Sequence, residues 1–252
     1  MKKNYNIADP EWEWYIGKLY SKLISDFIND NIETVVELAP GFRHKIANAL
    51  SDINFKGTFY VIDSSKDVLD YVNKKYQEFI PDAKIITINC NFEEAIAKLP
   101  KNIDLFLTNH SIDDMIIAEY SNIKYNLGVN NESLNENLLQ MWSDLYNDKI
   151  KRKEISDSIY LMFKRLLEEK EIKYSIISQY KSNSYFLGKS NLIDEITCEC
   201  FNKIKQLYLV DNDKIDNSLN YYPFGIDDER YNGKYLTYNT QNSKNWIVGT
   251  VK

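Results

Sequence analysis

Apolar positions along the chain fall into two alternating kinds of run. Short, nearly unbroken runs at 35–38, 58–63, 84–88, 105–109 and 173–180 suit buried parallel strands and are too short for helices. Between them, apolar residues return at helical spacing. Behind Asp9-Pro10, a natural N-cap and first-turn pair, Trp12, Ile16, Leu19, Tyr20, Leu23, Ile24, Phe27 and Ile28 predict a helix over 10–31, open to a break at Gly17. Ile46, Ala47 and Leu50 predict a helix after strand 1, and Val68, Leu69, Val72 and Tyr76 form the inner face of another over 67–79. Two more are predicted over 155–169 and 192–207. Strands alternating with helices mean an α/β fold around a mostly parallel sheet. Two strand-like runs close the chain at 234–239 and 245–251, and their short connection predicts an antiparallel hairpin. The pattern departs from this alternation at 119–150, which is polar and Asn-rich with an apolar stripe at Leu134, Leu138, Met141, Trp142 and Leu145. That segment predicts a helical insertion after strand 4, either a lid over a pocket mouth or a further layer of core.

The length of 252 residues suits a single α/β domain over 1–252, with 1–32 as an N-terminal helical cap. A net charge of −6 argues against a nonspecific nucleic-acid binder. The opening MKKNYNIADPEW has no apolar core of a secretion signal, and no run of about 18 apolar residues could span a bilayer, so the expectation is a soluble, cytoplasmic protein without a membrane partner. Cys90, Cys198 and Cys200 make no disulfide framework. Cys198-Thr-Cys200 lacks the second pair of a zinc site, and no metal is expected.

The candidate chemistry gathers at strand ends. The stretch over 35–50, VVELAPGFRHKIANAL, is strand, tight turn and helix, the unit whose helix N-terminus can hold the polar groups of a ligand. Glu37 followed by Ala39-Pro40-Gly41 resembles the first motif of class I S-adenosylmethionine-dependent methyltransferases. Glu37 matches the acidic position and Gly41 the middle glycine, while Ala39 and Arg43 stand where the first and third glycines are usual. Alanine permits close ligand approach if its φ is negative, and arginine requires a different turn or an outward side chain. Asp63 lies 22 residues after Gly41, near the ~20-residue spacing of the acid that accepts from ribose hydroxyls.

The resemblance implies cofactor contacts at Glu37, Ala39, Gly41, Asp63, Ser64, Asn91, Phe92 and Asn109. Asn91 takes the place of the acid that meets the adenine amino group, a bond its carbonyl can also accept, and Phe92 that of the apolar residue against the ring. In the loop after strand 4, where the acceptor usually meets the cofactor, stand His110, Asp113 and Asp114. His110 suits proton transfer near neutrality or a positioning role. Asp113 and Asp114 suit binding of an ammonium or metal ion, or capping of a helix starting at Met115. His44 is left to the cofactor carboxylate or to solvent, and Trp14 and Tyr15 to a pocket wall or to packing on the sheet.

As a whole the resemblance implies a seven-stranded, mostly parallel Rossmann-like sheet with a C-terminal antiparallel hairpin. It implies S-adenosyl-L-methionine as cofactor and methyl transfer to a small-molecule acceptor. Nucleic acid is not the expected acceptor, because Asn109-His110-Ser111-Ile112 stands where the family's amino-directed nucleic-acid enzymes carry Asn/Asp-Pro-Pro-aromatic. Transfer of the aminocarboxypropyl arm of the same cofactor is an alternative. A noncatalytic binding or partner subunit is another, motivated by Ala39, Arg43 and Asn91.

Overall fold

Seven strands form one sheet in the order β3-β2-β1-β4-β5-β7-β6. The computed structural model describes residues 10–121, 132–180, 190–220 and 240–252. The strands are β1 (Thr34–Leu38), β2 (Thr58–Asp63), β3 (Lys84–Asn89), β4 (Asn102–Asn109), β5 (Glu171–Ser178), β6 (Tyr208–Val210) and β7 (Trp246–Val251). β1 to β5 run parallel, and β7 lies antiparallel to both β5 and β6.

Both faces are covered, which is why the central strands read as continuous apolar runs. On one face lie α1 (Pro10–Phe27), α2 (Lys45–Asp52), α3 (Lys66–Phe79) and α9 (Asn212–Leu219), sharing a core with Val35, Leu105 and Leu107. The other face carries α4 (Phe92–Lys98), α5 (Ile112–Ser121), α6 (Glu132–Asn147), α7 (Lys149–Glu169) and α8 (Ser190–Lys205) over Val36 and Phe106. The alternation within β1 and β4 thus feeds two separate cores. The inner face expected for α3 is buried in full at Val68, Leu69, Val72 and Tyr76.

Several boundaries differ from expectation for local reasons. α1 is continuous through Gly17, whose missing side chain lets α2 approach: a Cβ there would stand 2.8 Å from the Asn48 Cβ and 3.0 Å from the Lys45 carbonyl. β5 ends two residues early, so Gln179 and Tyr180 leave the sheet and turn toward its C-terminal edge. The antiparallel partner of β7 at the sheet edge is the three-residue β6. The run at 234–239, expected as that partner, lies outside the described residues. In the segment after β4, Leu138, Trp142 and Leu145 of α6 are buried against the core beneath α7 and α8, so the described part of this stripe is packing. Leu134 lies outside the side chains described.

Candidate active site

The turn between β1 and α2 is bent into an unusual shape. Ala39 has φ 53° and Gly41 φ 58°, both left-handed, and the Ala39 amide donates to the Ile62 carbonyl at 2.8 Å. The negative φ under which Ala39 would permit close ligand approach is therefore not what the chain adopts. A non-glycine residue in this region costs on the order of 1 kcal/mol or more, held here by the surrounding strands. At Gly41 no described atom lies within 4 Å of a Cβ built on its backbone, so the turn faces open space.

Arg43 and His44 turn away from that space toward α1. Glu13, fully buried on α1, accepts from the His44 amide at 2.8 Å, and its Oε1 lies 3.4 Å from Arg43 Nη1. His44 Nδ1 is also 2.8 Å from Glu13 Oε2, although not aligned for a hydrogen bond, and its ring stacks on Phe79 at 4.9 Å. Burial alone would raise the Glu13 carboxyl, but His44 and Arg43 hold it below the ordinary carboxylate range. His44 is thus a partner of Glu13, and neither the cofactor-carboxylate nor the solvent expectation describes it. Tyr15 packs fully buried, with its hydroxyl 3.1 Å from the Thr240 hydroxyl, and Trp14 is partly buried against the same core.

Glu37 is buried at the end of β1. The Tyr76 hydroxyl is 2.8 Å from its Oε2 and 3.1 Å from the Arg43 carbonyl. The Tyr76 hydroxyl is shared between these two acceptors. Burial, followed by the charge of Asp63, pushes the Glu37 carboxyl up to about 8, against the pull of Tyr76 and Lys45. Asp63 ends β2. Its Oδ1 accepts from the Ser65 amide at 2.8 Å, and the Gly41 amide also supports it, while burial raises its pKa. Asp63 and Gly41 are therefore neighbours, as the spacing predicts. Ser64 sits half-buried beside them, and Ser65 caps α3.

The third strand end is different. Asn91 is exposed and caps α4, its Oδ1 accepting from the Glu94 amide at 2.8 Å. Phe92 is 7% exposed and packs on Phe106 and Phe163 at 6.3 and 5.2 Å between ring centres. The carbonyl expected to meet adenine is committed to a cap, and the ring expected beside it belongs to the core.

At the end of β4 a polar network closes over the sheet edge. Lys45, the first residue of α2, donates to Asn109 Oδ1 at 2.7 Å and to the Tyr180 hydroxyl at 2.8 Å. The Tyr180 hydroxyl donates to Asn109 Oδ1 at 3.1 Å, and Asn109 Nδ2 donates to the Ser178 hydroxyl at 2.7 Å. Below them the Tyr20 hydroxyl donates to the Thr108 carbonyl at 2.7 Å. Burial and the charge of Arg43 bring the Lys45 ammonium down to about 7, against the opposing pull of Glu13, Glu37 and Asp113.

His110 follows at φ 54°, its amide still held by the Ser178 carbonyl at 2.8 Å. Its ring lies 4.7 Å from that of Tyr180, and Nδ1 is 3.4 Å from Asp113 Oδ2. α5 begins at Ile112, so Asp113 and Asp114 stand in its first turn, where carboxylates meet the positive end of the helix, and do not cap a helix starting at Met115. Burial opposes ionisation of Asp113, yet His110 and Gln179 hold its carboxyl below the ordinary value. Asp114 is pushed well up by burial, then by Asp113 and Asp63.

Glu37, Asp63 and Asn109 thus stand at the C-terminal ends of adjacent strands, with His110 and Asp113 beside them, in the crevice where open α/β sheets bind ligands. Lys45, Tyr180, Gln179 and Glu13 join them without having been singled out in the sequence. The available signal was position: Glu13 shares the apolar stripe of Ile16 and Tyr20, and Lys45 shares the face of Ala49.

The seven-stranded, mostly parallel sheet with β7 reversed is the architecture that the resemblance to class I S-adenosylmethionine-dependent methyltransferases implies. Solved structures similar to the chain include spermidine synthase from Thermotoga maritima, at 9% identity and TM-score 0.42 over 79% of this chain and 51% of that one. TrmN from Thermus thermophilus is similar at 10% identity and TM-score 0.38, over 69% and 40% of the two chains. The glycopeptide N-methyltransferase MtfA is similar at 12% and 0.38, over 67% and 55%. The chain spans about half the length of these matched structures. No protein-family model and no curated protein sequence matches the chain. No helix among the described residues is long and apolar enough to cross a membrane.

Proposed function

We propose that the chain binds S-adenosyl-L-methionine across the ends of β1, β2 and β4 and transfers its methyl group to a small-molecule acceptor. The observation that supports this is the β1–α2 turn: the left-handed backbone at Gly41 opens onto free space, with Asp63 beside it. A ribose fits beside such a backbone, where Asp63 would accept from its hydroxyls with the oxygen not bonded to Ser65. The cofactor would supply a methyl group activated on a sulfonium, and alignment of the acceptor would carry most of the catalysis. His110, oriented through Nδ1 by Asp113, would leave Nε2 to take a proton from the acceptor where one must be lost.

Calorimetry with S-adenosylmethionine and S-adenosylhomocysteine tests the binding. Asp63→Ala should weaken both by about 30- to 1000-fold, the loss of two charge-assisted hydrogen bonds. Unchanged affinity in a folded Asp63→Ala variant would sink the assignment. Turnover that leaves S-adenosylhomocysteine identifies methyl transfer, whereas methylthioadenosine as the product would mean transfer of the aminocarboxypropyl arm.

A further inference from the structure

Lys45 is placed where a positive charge is disfavoured three times over. It is 8% exposed, it opens α2 at the positive end of the helix, and Arg43 stands two residues before it. Buried ammonium groups are ordinarily paired with a carboxylate. Among the described residues, the hydrogen-bond partners of Lys45 are neutral, Asn109 Oδ1 and the Tyr180 hydroxyl. The carboxylates that face it are Glu13 from α1, Glu37 from β1 and Asp113 from α5, and each is engaged elsewhere: with His44 and Arg43, with Tyr76, and with His110 and Gln179. The crevice therefore holds a cation, at a helix N-terminus, with no described carboxylate in contact with it.

We propose that Lys45 receives the carboxylate of a bound ligand, so that the crevice prefers carboxylate-bearing ligands over otherwise similar ones that lack the group. This rests on the reading that the ligand is S-adenosylmethionine, whose amino-acid arm ends in a carboxylate. The arriving anion supplies the missing counter-charge at the point where α2 and β4 meet. It also couples binding to protons. Without ligand, burial and Arg43 hold the ammonium at about 7, with Glu13, Glu37 and Asp113 opposing them, and Tyr180 and its neighbour His110 complete the surroundings. A contacting carboxylate favours the charged form, so binding at pH 7 takes up about half a proton, and affinity falls as pH rises further.

Isothermal titration of the full chain with S-adenosylhomocysteine and with methylthioadenosine, which lacks the carboxylate, tests this in buffers of different ionisation enthalpy. Wild type should take up about half a proton more with S-adenosylhomocysteine than with methylthioadenosine at pH 7. Lys45→Met should weaken S-adenosylhomocysteine by roughly 10- to 100-fold and leave methylthioadenosine unchanged. Lys45→Arg, permanently charged, should keep the preference and lose the extra proton uptake, and it decides the matter with wild type if Lys45→Met does not fold. Equal loss of both ligands in folded Lys45→Met, or extra uptake persisting in Lys45→Arg, overturns the proposal while the cofactor reading stands. Binding of neither ligand to wild type overturns both.

Discussion

Two strand-to-helix turns of the same sheet, β1–α2 and β3–α4, stand in the same relation to the crevice and differ in what their side chains are free to do. In β3–α4, Asn91 uses its carbonyl on the amide three residues on, and Phe92 fills the core. Every group there has a local use. In β1–α2, Ala39 is held left-handed, Glu37 and Lys45 are buried ionisable groups with displaced pKa values, and the backbone at Gly41 meets open space. Side chains committed locally hold a fold together, whereas unfavourable states maintained at a strand end are what the proposed ligand site rests on.

The sharpest way to break the comparison is at Phe92. Phe92→Ala should cost about 3–5 kcal/mol of stability, read by chemical denaturation, because its ring packs between Phe106 and Phe163. A loss of cofactor affinity in that variant without loss of stability would return Phe92 to the site.

The next test is pH. Glu37 has a folded pKa raised to about 8 from an ordinary 4.5, so the folded state holds its proton longer, and stability is fully present below 4.5 and lost as pH rises toward 8. Lys45 is depressed from 10.5 to about 7, so the unfolded chain binds more protons between these values, and stability rises with pH across that window. Denaturation midpoints should therefore pass through a minimum near pH 7–8, with each arm worth on the order of 2–4 kcal/mol. Glu37→Gln should flatten the acid arm and Lys45→Met the alkaline one. A midpoint constant from pH 5 to 10 would contradict both displaced values.

Smallest is the effect at Ala39. Ala39→Gly should change stability by no more than roughly 0.5 kcal/mol, because relief of strain offsets the added freedom of the unfolded chain. Ala39→Val, β-branched in a left-handed turn, should cost about 2 kcal/mol. Equal stability of the two variants would argue against the positive φ at Ala39.

The sheet was legible because buried parallel strands are apolar without interruption, as at Leu105, Phe106 and Leu107, and because one spacing tied Gly41 to Asp63. β6 was not, since three residues following a helix carry no period to detect. Lys45 escaped for another reason: a lysine in the first turn of an amphipathic helix reads as solvated, and its partners Asn109 and Tyr180 are 64 and 135 residues further on. Glu13 is similar, an ordinary first-turn acid until α1 lies on the loop of Arg43 and His44. Contacts made across the sheet edge belong to topology, and local pattern does not contain them.

The bond from the His44 amide to Glu13 gives that amide an unusual property. Its proton is shielded from deuterated solvent by a carboxylate on a helix preceding the entire sheet, so its exchange requires α1 to lift from the loop, even when the strands behind it remain intact. The deuteration rate of this single position therefore clocks the separation of α1 from the loop between β1 and α2, an event that no strand of the sheet reports.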